Sequence, residues 1–137
     1  MTVEIIARTP TAAEYESVVA SVGFRSHDHA AVEVALAHTP YCVCAVDGNE
    51  VIGLGRIIGD GAISFLLTNV MVRPSYQRRG IGSRIVRALC DAVEALPYCN
   101  IVVEVVPLPG LQSFYERLGF RASRTATPGM VRWVHEQ

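Results

Sequence analysis

A short stretch rich in glycine, arginine and glutamine follows an apolar run and has the residue types needed to bind an anion. It reads "VMVRPSYQRRGIGSRIV" over Val70–Val86. Helix N-termini carry unpaired N–H groups and a partial positive charge. Glycine at positions 80 and 82 removes the Cβ atoms that would keep a phosphate from this backbone, and Arg78 and Arg79 can add charge-assisted hydrogen bonds. The stretch is therefore built like a cradle for a pyrophosphate.

Two common phosphate-binding motifs do not match this stretch. The Walker pattern ends in Gly-Lys-Ser/Thr, which is absent here, and the dinucleotide fingerprint needs a third glycine at fixed spacing. The glycines at 80 and 82 are also what a tight strand-to-helix turn without any ligand would use. The two glycines alone leave both interpretations open.

The surrounding elements predict one domain of mixed α/β (or α+β) class over residues 1–137. Thr11 and Glu14 form a capping-box pattern at a helix start. Apolar residues at three- and four-residue spacing mark the strongest helix, which begins at Gly80. Helices are predicted over 12–22, 30–38, 80–96 and 111–119, and strands over 3–8, 41–47, 51–59, 63–72, 100–106, 120–126 and 129–136.

Composition narrows the class of protein. The chain is 50% apolar and 18% charged, which suits a packed core, and its net charge of −1 argues against a nucleic-acid partner. No apolar run approaches the roughly 18 residues that cross a bilayer, and no signal-peptide pattern opens the chain, so we expect no membrane partner and a cytoplasmic location. The four cysteines lack zinc-like spacing, so no metal site is expected.

Two motifs carry a resemblance to a known family. "VMVRPSYQRRGIG" resembles the coenzyme-binding motif of the GNAT superfamily of N-acetyltransferases, Gln/Arg-x-x-Gly-x-Gly/Ala, whose fixed positions are filled by Gln77, Gly80 and Gly82. "FYERLGF" (Phe114–Phe120) is similar to the family's "FYEKLGF". The run "GLGRIIGDG" (Gly53–Gly61) and a late Pro-Gly-Met are typical of small single-domain bacterial members. The resemblance implies a mixed, mostly antiparallel sheet of six to seven strands with a splayed parallel pair, flanked by about four helices.

The resemblance also implies how acetyl-CoA binds. In the family the coenzyme lies between two splayed parallel strands, which here would be those at 63–72 and 101–106. The pantetheine arm would pair with backbone near the end of the first strand, and the pyrophosphate would lie on the amides that open the following helix. The implied coenzyme-binding residues are Val70, Met71, Val72, Gln77, Arg78, Arg79, Gly80, Ile81, Gly82 and Ser83.

The implied reaction is direct attack of a primary amine on acetyl-CoA in a ternary complex, with the amine supplied by a small molecule. Tyr115 matches the tyrosine that serves many members as the acid for the departing thiolate, although packing of its short helix is an alternative role. Many members have a glutamate base where this chain has Thr68. Water relayed by polar residues of that strand, or a residue from 26–29 such as His27, Asp28 or His29, is left open as the base.

The acceptor would lie between the first two helices and the last two strands, near Phe24, Arg25, Arg56 and the Thr125–Met130 turn. Either arginine could bind a carboxylate, or could be an ordinary surface arginine. Two alternatives to a small-molecule enzyme stay open: a non-catalytic acetyl-CoA-binding or sensing module, and an acetyltransferase acting on protein amines. The composition is also compatible with a homodimer.

Overall fold

The structure is a computed structural model that describes residues 2–122, 130, 132, 133 and 135–137. The chain divides into two compact units, Met1–Val105 and Val106–Gln137, which are described separately. The first unit holds a sheet with three α-helices, and the described residues of the second form one short helix. The assignment of residues 1–137 to one domain stays a prediction.

A five-stranded sheet with the order β1-β2-β3-β4-β5 forms the centre of the first unit. Neighbouring strands are antiparallel except for β4 and β5, which are parallel. This confirms the prediction of a mixed, mostly antiparallel sheet that contains one parallel pair. The strands are β1 (Val3–Ile6), β2 (Tyr41–Asp47), β3 (Glu50–Gly59), β4 (Ser64–Val72) and β5 (Val102–Val105).

The strand count differs from the predicted six to seven, since five strands are present in the described part of the chain. The two further strands predicted over 120–126 and 129–136 lie largely on 123–129, 131 and 134, outside the described residues, and those residues of the two segments that are described form no strand. The run of mostly β-branched residues at 100–106 predicts a strand buried on both faces, and this expectation was wrong for β5. Its burial alternates, with Val102 45% exposed, because the face that carries Val102 and Glu104 is not covered by the described residues.

The four α-helices found where the chain is described agree with the predicted number and lie close to the predicted positions. The start of the first helix is fixed by the predicted capping box: the Glu14 amide donates to Thr11 Oγ1 over 3.1 Å, and the Thr11 amide donates to Glu14 Oε1 over 2.8 Å. Arg8 also donates to the Glu14 carboxylate, which holds the pKa of that group at about 2. The helices are α1 (Ala12–Ser21), α2 (His29–Ala37), α3 (Ile81–Glu94) and α4 (Gln112–Glu116), with a 3-10 turn at Pro74–Tyr76.

The helices of the first unit cover the two faces of its sheet. On one face, α1 and α2 bury apolar side chains against alternate residues of the strands, including Leu54 and Met71. On the other face, α3 packs through Ile85 and Leu89, which are both fully buried. The helix approaches so closely that a Cβ atom on Gly55 would lie 2.8 Å from Ile85 Cγ2. Side-chain volume at this position of β3 is therefore excluded by the packing of α3.

Candidate functional site

A β-bulge interrupts β4 where it pairs with β3. Between the pairs Arg56–Thr68 and Leu54–Met71, two residues of β4 face one residue of β3. The first of the two is Asn69, whose φ of +53° is in the left-handed region that asparagine tolerates better than most residues. Bulges bend a strand and end its regular pairing, so the bulge changes the direction of the second half of β4.

The second half of β4 also leaves its parallel partner. Pairing with β5 runs from Ser64–Val102 to Leu67–Val105. It therefore ends just before Thr68, the last residue of β4 that precedes the bulge. In the described part of the chain, β4 beyond Leu67 therefore has strand neighbours on one side only. The splayed parallel pair implied by the sequence is present in this form, and the opening exposes one backbone edge of residues 68–72.

Backbone alternation identifies the groups that point to this open edge. The Arg73 amide donates to Ile52 O over 2.8 Å, so it faces β3. Successive residues of a strand direct their amides and carbonyls to opposite sides. Val72 and Val70 therefore face the opening, whereas Met71 faces β3 and buries its side chain at 2% exposure. Of the three predicted backbone contributors, Val70 and Val72 are the two available to a ligand.

A tight turn connects β4 to α3. Gln77 Nε2 donates to Val72 O over 2.9 Å and so ties the turn to the strand. Arg78 and Gly80 both have left-handed φ values, +64° and +75°. Left-handed residues in such turns direct successive N–H groups into one concavity that suits an anion. The sequence prediction assigned Gln77 to the coenzyme, and the structure shows that its amide group also braces the turn.

The first turn of α3 offers further unpaired amides. The Arg84 amide is bonded to Gly80 O at 3.2 Å, whereas the amides of 81–83 precede every intrahelical acceptor. A Cβ atom on Gly80 would meet no protein atom within 4 Å, so the space beside this backbone is open. Gly82 and Ser83 lie at this turn with partial exposure. Ile81 is 3% exposed and packs in the core, so it can contribute its amide but not its side chain.

The two predicted arginines flank this turn. Arg78 and Arg79 are both exposed, and the Arg79 guanidinium lies 5.6 Å from the centroid of the Tyr76 ring. Tyr76 is itself held by its hydroxyl, which donates to Asp47 Oδ2 over 2.6 Å and whose pKa is raised by that bond. The arginines are therefore placed to add positive charge beside the helix N-terminus.

Two adjoining cavities lie beside α1 and α2, the first against the sheet and the second against the segment that joins the two helices. Their volumes are about 230 and 240 Å³, and they share Tyr15, His27 and Val32. Both are smaller than the roughly 300–1,000 Å³ of sites for drug-sized ligands, which suits a small molecule. The remaining lining of the first is Ala31, Ala35, Leu36, Arg56 and Asn69, and that of the second is Glu16, Val19, Ala20, Phe24 and Ser26.

Arg56 links the first cavity to the bulge. Its Nε donates to Asn69 Oδ1 over 2.9 Å, and its Nη1 donates to Thr39 Oγ1 over 2.9 Å. The guanidinium also lies 5.8 Å from the centroid of the Tyr15 ring. Burial raises the pKa of Tyr15, and the positive charge of Arg56 opposes that rise. Arg56 is thus held by Asn69 and Tyr15, which line the cavity, and by Thr39.

The other predicted acceptor and base residues differ in whether they line the two cavities. Phe24 lines the second cavity, and His27 lines both. Arg25 is exposed and lines neither. His29 lines neither cavity, but its Nδ1 lies 2.6 Å from Oε1 of Glu16, which lines the second. Of the predicted Thr125–Met130 turn, residues 125–129 lie outside the described part of the chain.

Comparison with known proteins identifies the family to which the chain belongs. The family model described as "Acetyltransferase (GNAT) domain" matches residues 37–122, well over half of the chain. The chain belongs to the GNAT family of acetyltransferases. This match spans the bulge, the open edge of β4 and the turn into α3, and GNAT proteins typically use acetyl-CoA as donor.

Individual relatives agree with the GNAT assignment. The chain is 32% identical over 120 residues to "GCN5-related N-acetyltransferase 1, chloroplastic" of Arabidopsis thaliana, with 86% of this chain aligned. That alignment spans 60% of the length of the Arabidopsis protein. Among solved structures, the "Acetyltransferase, GNAT family protein" of Streptococcus pneumoniae is 26% identical with a TM-score of 0.82, covering 98% of this chain and 100% of that one. A protein of unknown function from meticillin-resistant Staphylococcus aureus, 24% identical, shares the fold with a TM-score of 0.89 over 97% and 100% of the two chains.

The second GNAT motif forms the short helix of the second unit. Gly119, with φ of +94°, ends α4, and the Phe120 amide returns to Tyr115 O over 3.1 Å in a Schellman-type closure. Tyr115 is 8% exposed, and its ring makes edge contacts with Phe114 and Phe120 at centroid distances of 4.9 and 5.7 Å. Burial raises the pKa of its phenol, so the proton stays on this group at neutral pH. A phenol that keeps its proton can serve as an acid.

The described part of the GNAT chain shows no group of three or more His, Cys, Asp or Glu side chains arranged to hold a metal ion. The four cysteines are free, with Cys42 and Cys44 buried, Cys90 half-buried and Cys99 exposed. No helix of the described residues is long and apolar enough to span a membrane.

Sequence reasoning missed the bulge and most of the cavity lining in this GNAT chain. Asn69 carried a signal, because an asparagine inside the apolar run "FLLTNVMV" is a residue type that accepts left-handed backbone. Tyr15 carried none that separates it from an ordinary core residue of α1. Its contact with Arg56 depends on the packing of α1 against β3, which spacing along the chain does not reveal.

Proposed function

We propose that this chain is an acetyl-CoA-dependent N-acetyltransferase that transfers the acetyl group to the primary amine of a small molecule by direct attack in a ternary complex. The observation that carries the proposal is the continuity of the open edge of β4 with the anion-binding turn at 78–83. A coenzyme needs both features together, since its pantetheine arm is an extended amide and its pyrophosphate is an anion.

The backbone of this region would hold the coenzyme. Val70 presents its carbonyl and Val72 its amide to the pantetheine arm, while the Val72 carbonyl stays bonded to Gln77 Nε2. The amides of 81–83, together with Arg78 and Arg79, receive the pyrophosphate. The negative charge of the pyrophosphate would interact favourably with the partial positive charge of the helix N-terminus. Such an interaction contributes about 0.3–1 kcal/mol at exposed sites. The proposed coenzyme contacts are therefore made mainly by backbone groups and depend on few specific side chains.

The reaction would form a C–N bond and break the C–S bond of the thioester. The amine nitrogen attacks the acetyl carbonyl, and the Val70 amide at the open edge stabilises the oxyanion that develops. The intermediate then expels the coenzyme thiolate, which takes a proton from Tyr115. This role for Tyr115 rests on the "FYERLGF" motif and on the retained proton of its phenol. The amine loses its own proton to His27 or to water in the cavities.

Calorimetric titration of acetyl-CoA and of CoA tests the coenzyme site. The protein is compared with Gly82→Glu and with Gly80→Glu/Gly82→Glu, whose carboxylates enter the turn. The matched control is Arg87→Glu, which gives the same charge change of −2 as the double variant but lies on an exposed part of α3. We expect binding by the unaltered chain and the control, and none by the double variant. The single variant Gly82→Glu is included because it leaves Gly80, whose backbone is left-handed, unchanged. Absence of binding by the unaltered chain would end the proposal.

A non-catalytic acetyl-CoA-binding or sensing module is the second candidate, and Thr68 in place of a family glutamate favours it. The two candidates differ in whether acetylated amine appears. Product is best detected by mass spectrometry, because the exposed Cys99 would react with thiol reagents. Coenzyme binding without acetylation of any amine, small or peptidic, would favour the module. Acetylation of peptide amines in preference to small amines would instead favour a protein acceptor.

A further inference from the structure

We infer that the acceptor carries a carboxylate close to its amine and that Arg56 binds this carboxylate in the first cavity. The inference rests on the proposed acetyl transfer for its biological meaning, since it names the substrate class of that site. The chemical class that fits is a free amino acid with a small apolar side chain.

Arg56 has hydrogen-bonding capacity that the described residues leave unused. A guanidinium offers five N–H donors, and two of them are taken by Asn69 Oδ1 and Thr39 Oγ1. Both partners are neutral, and none of the ion pairs formed by the described residues includes Arg56. Because Nη2 and the second hydrogen of Nη1 remain, a carboxylate can still bind through two donors at once.

The charge of the cavities favours an anionic partner. Among the described residues, the first cavity is lined by Arg56 and by no acidic side chain. The second contains one, Glu16, whose carboxylate is already 2.6 Å from His29 Nδ1. A half-buried charge without an opposite charge is costly, so a bound carboxylate would complete the site. Acceptors with several amines and no acid, such as polyamines, carry no carboxylate that Arg56 could bind.

The position of Arg56 sets the distance between carboxylate and amine. Its Nε is bonded to the side chain of Asn69, the residue before Val70, whose amide we propose as the oxyanion donor. A carboxylate on the guanidinium would therefore lie near the reacting carbonyl, as the short separation of amine and carboxylate in an amino acid requires. The wall opposite consists of Ala31, Val32, Ala35 and Leu36, which suits an apolar side chain. The volume of about 230 Å³ favours a free amino acid over a peptide.

The test uses reaction products that differ in the carboxylate alone. N-acetylleucine and N-acetylleucinamide have the same shape, and acetylation has removed the basic nitrogen from both, so the charge of the amine does not confound the comparison. Each is titrated calorimetrically into the protein alone and into the protein saturated with CoA. We expect the acid to bind at least about tenfold more tightly than the amide, as a charge-assisted bidentate pair allows.

Three variants assign any preference to Arg56. Arg56→Gln should remove the preference for the acid. Arg87→Gln, which removes the same charge from the exposed surface of α3, should keep it. Asn69→Asp should retain the left-handed backbone and the acceptor for Arg56 Nε but neutralise the guanidinium, so it should also remove the preference. If Arg56→Gln fails to fold, Asn69→Asp decides the question.

The outcomes separate this inference from the proposed function. Equal binding of acid and amide, binding of neither, or a preference that survives in both Arg56→Gln and Asn69→Asp overturns the carboxylate site, whatever the catalytic result. Failure of CoA to bind while Arg56 still selects the acid would end the acetyltransferase proposal and leave the anion site standing. Loss of the preference in both variants, together with its retention in Arg87→Gln, supports the inference.

Discussion

Substitution of Asn69 tests the link between the bulge in β4 and the fold. Asn69 has two separable properties, its left-handed φ of +53° and the hydrogen bond that its Oδ1 accepts from Arg56 over 2.9 Å. Asn69→Ala removes both, Asn69→Gly keeps the backbone conformation, and Asn69→Asp keeps the backbone and an acceptor. The series therefore separates strain in the main chain from loss of the side-chain bond.

The expected magnitudes follow from these two terms. A hydrogen bond to a charged group contributes about 1.5 kcal/mol at the lower end of its range, which applies because Arg56 borders a cavity that water can enter. Left-handed backbone costs alanine about 1 kcal/mol more than asparagine or glycine. We expect the free energy of unfolding to fall by about 2.5 kcal/mol in Asn69→Ala and about 1.5 kcal/mol in Asn69→Gly. Asn69→Asp should stay within about 0.5 kcal/mol of the unaltered chain.

Urea unfolding followed by far-ultraviolet circular dichroism measures these differences by linear extrapolation. Acetyl-CoA titration of the same proteins measures the functional effect. A collapsed bulge would turn the Val70 amide from the opening, and loss of one such bond weakens binding by about tenfold, or about 1.4 kcal/mol. Unaltered stability in Asn69→Ala would refute the reasoning. If alanine and glycine at position 69 lower the free energy of unfolding equally, backbone strain does not contribute. If aspartate lowers it as much as they do, the hydrogen bond from Arg56 does not contribute.

Three further predictions concern the packing of α3, the start of α1 and the catalytic acid. Gly55→Ala should lower the free energy of unfolding by about 1–3 kcal/mol in urea, because the new Cβ would lie 2.8 and 2.9 Å from atoms of Ile85 and Leu89. The pKa of Glu14 is lowered from 4.5 to about 2, so its stabilisation is complete above pH 4.5 and is lost as the pH falls towards 2. Glu14→Gln should remove about 1 kcal/mol at pH 6, an amount reduced by the solvent exposure of the pair, and less at pH 3. Tyr115→Phe should lower the acetylation rate about 10²-fold or more while leaving acetyl-CoA binding unchanged, and an unchanged rate would contradict the acid role.

Helix boundaries could be predicted from the sequence because they depend on local interactions. The Thr11–Glu14 capping box is formed within four residues, and its geometry matches the expectation. The turn before α3 was likewise marked by Gly80, whose φ of +75° requires a residue without Cβ strain. In each case the residues that determine the element lie within one helical turn of it.

The burial of β5 and the lining of the cavities could not be predicted, since both depend on which elements become neighbours. The apolar run at 100–106 has the composition of a central strand, but β5 lies at the edge of the described sheet and pairs only through Val102–Val105. Similarly, the guanidinium of Arg56 meets Tyr15 because α1 packs across β3, 41 positions away in the chain. Periodicity gives the face of an element but not its partner.

The run "GLGRIIGDG" shows how one stretch of sequence acts on both faces of the sheet. Side chains alternate along β3, so Gly53 and Gly55 face α3 while Arg56 faces the cavity between α1 and α2. The glycines let α3 approach closely enough for Ile85 to pack, which fixes the helix whose first turn carries the anion-binding amides. Asp60 then accepts three backbone amides of 62–64 through Oδ1 and sets the turn into β4. Because β4 continues from that turn to the bulge at Asn69, the coenzyme edge and the proposed carboxylate site share one structural support. Changes on the α3 face of this run should therefore affect coenzyme binding first, and changes at Arg56 should affect acceptor selection first.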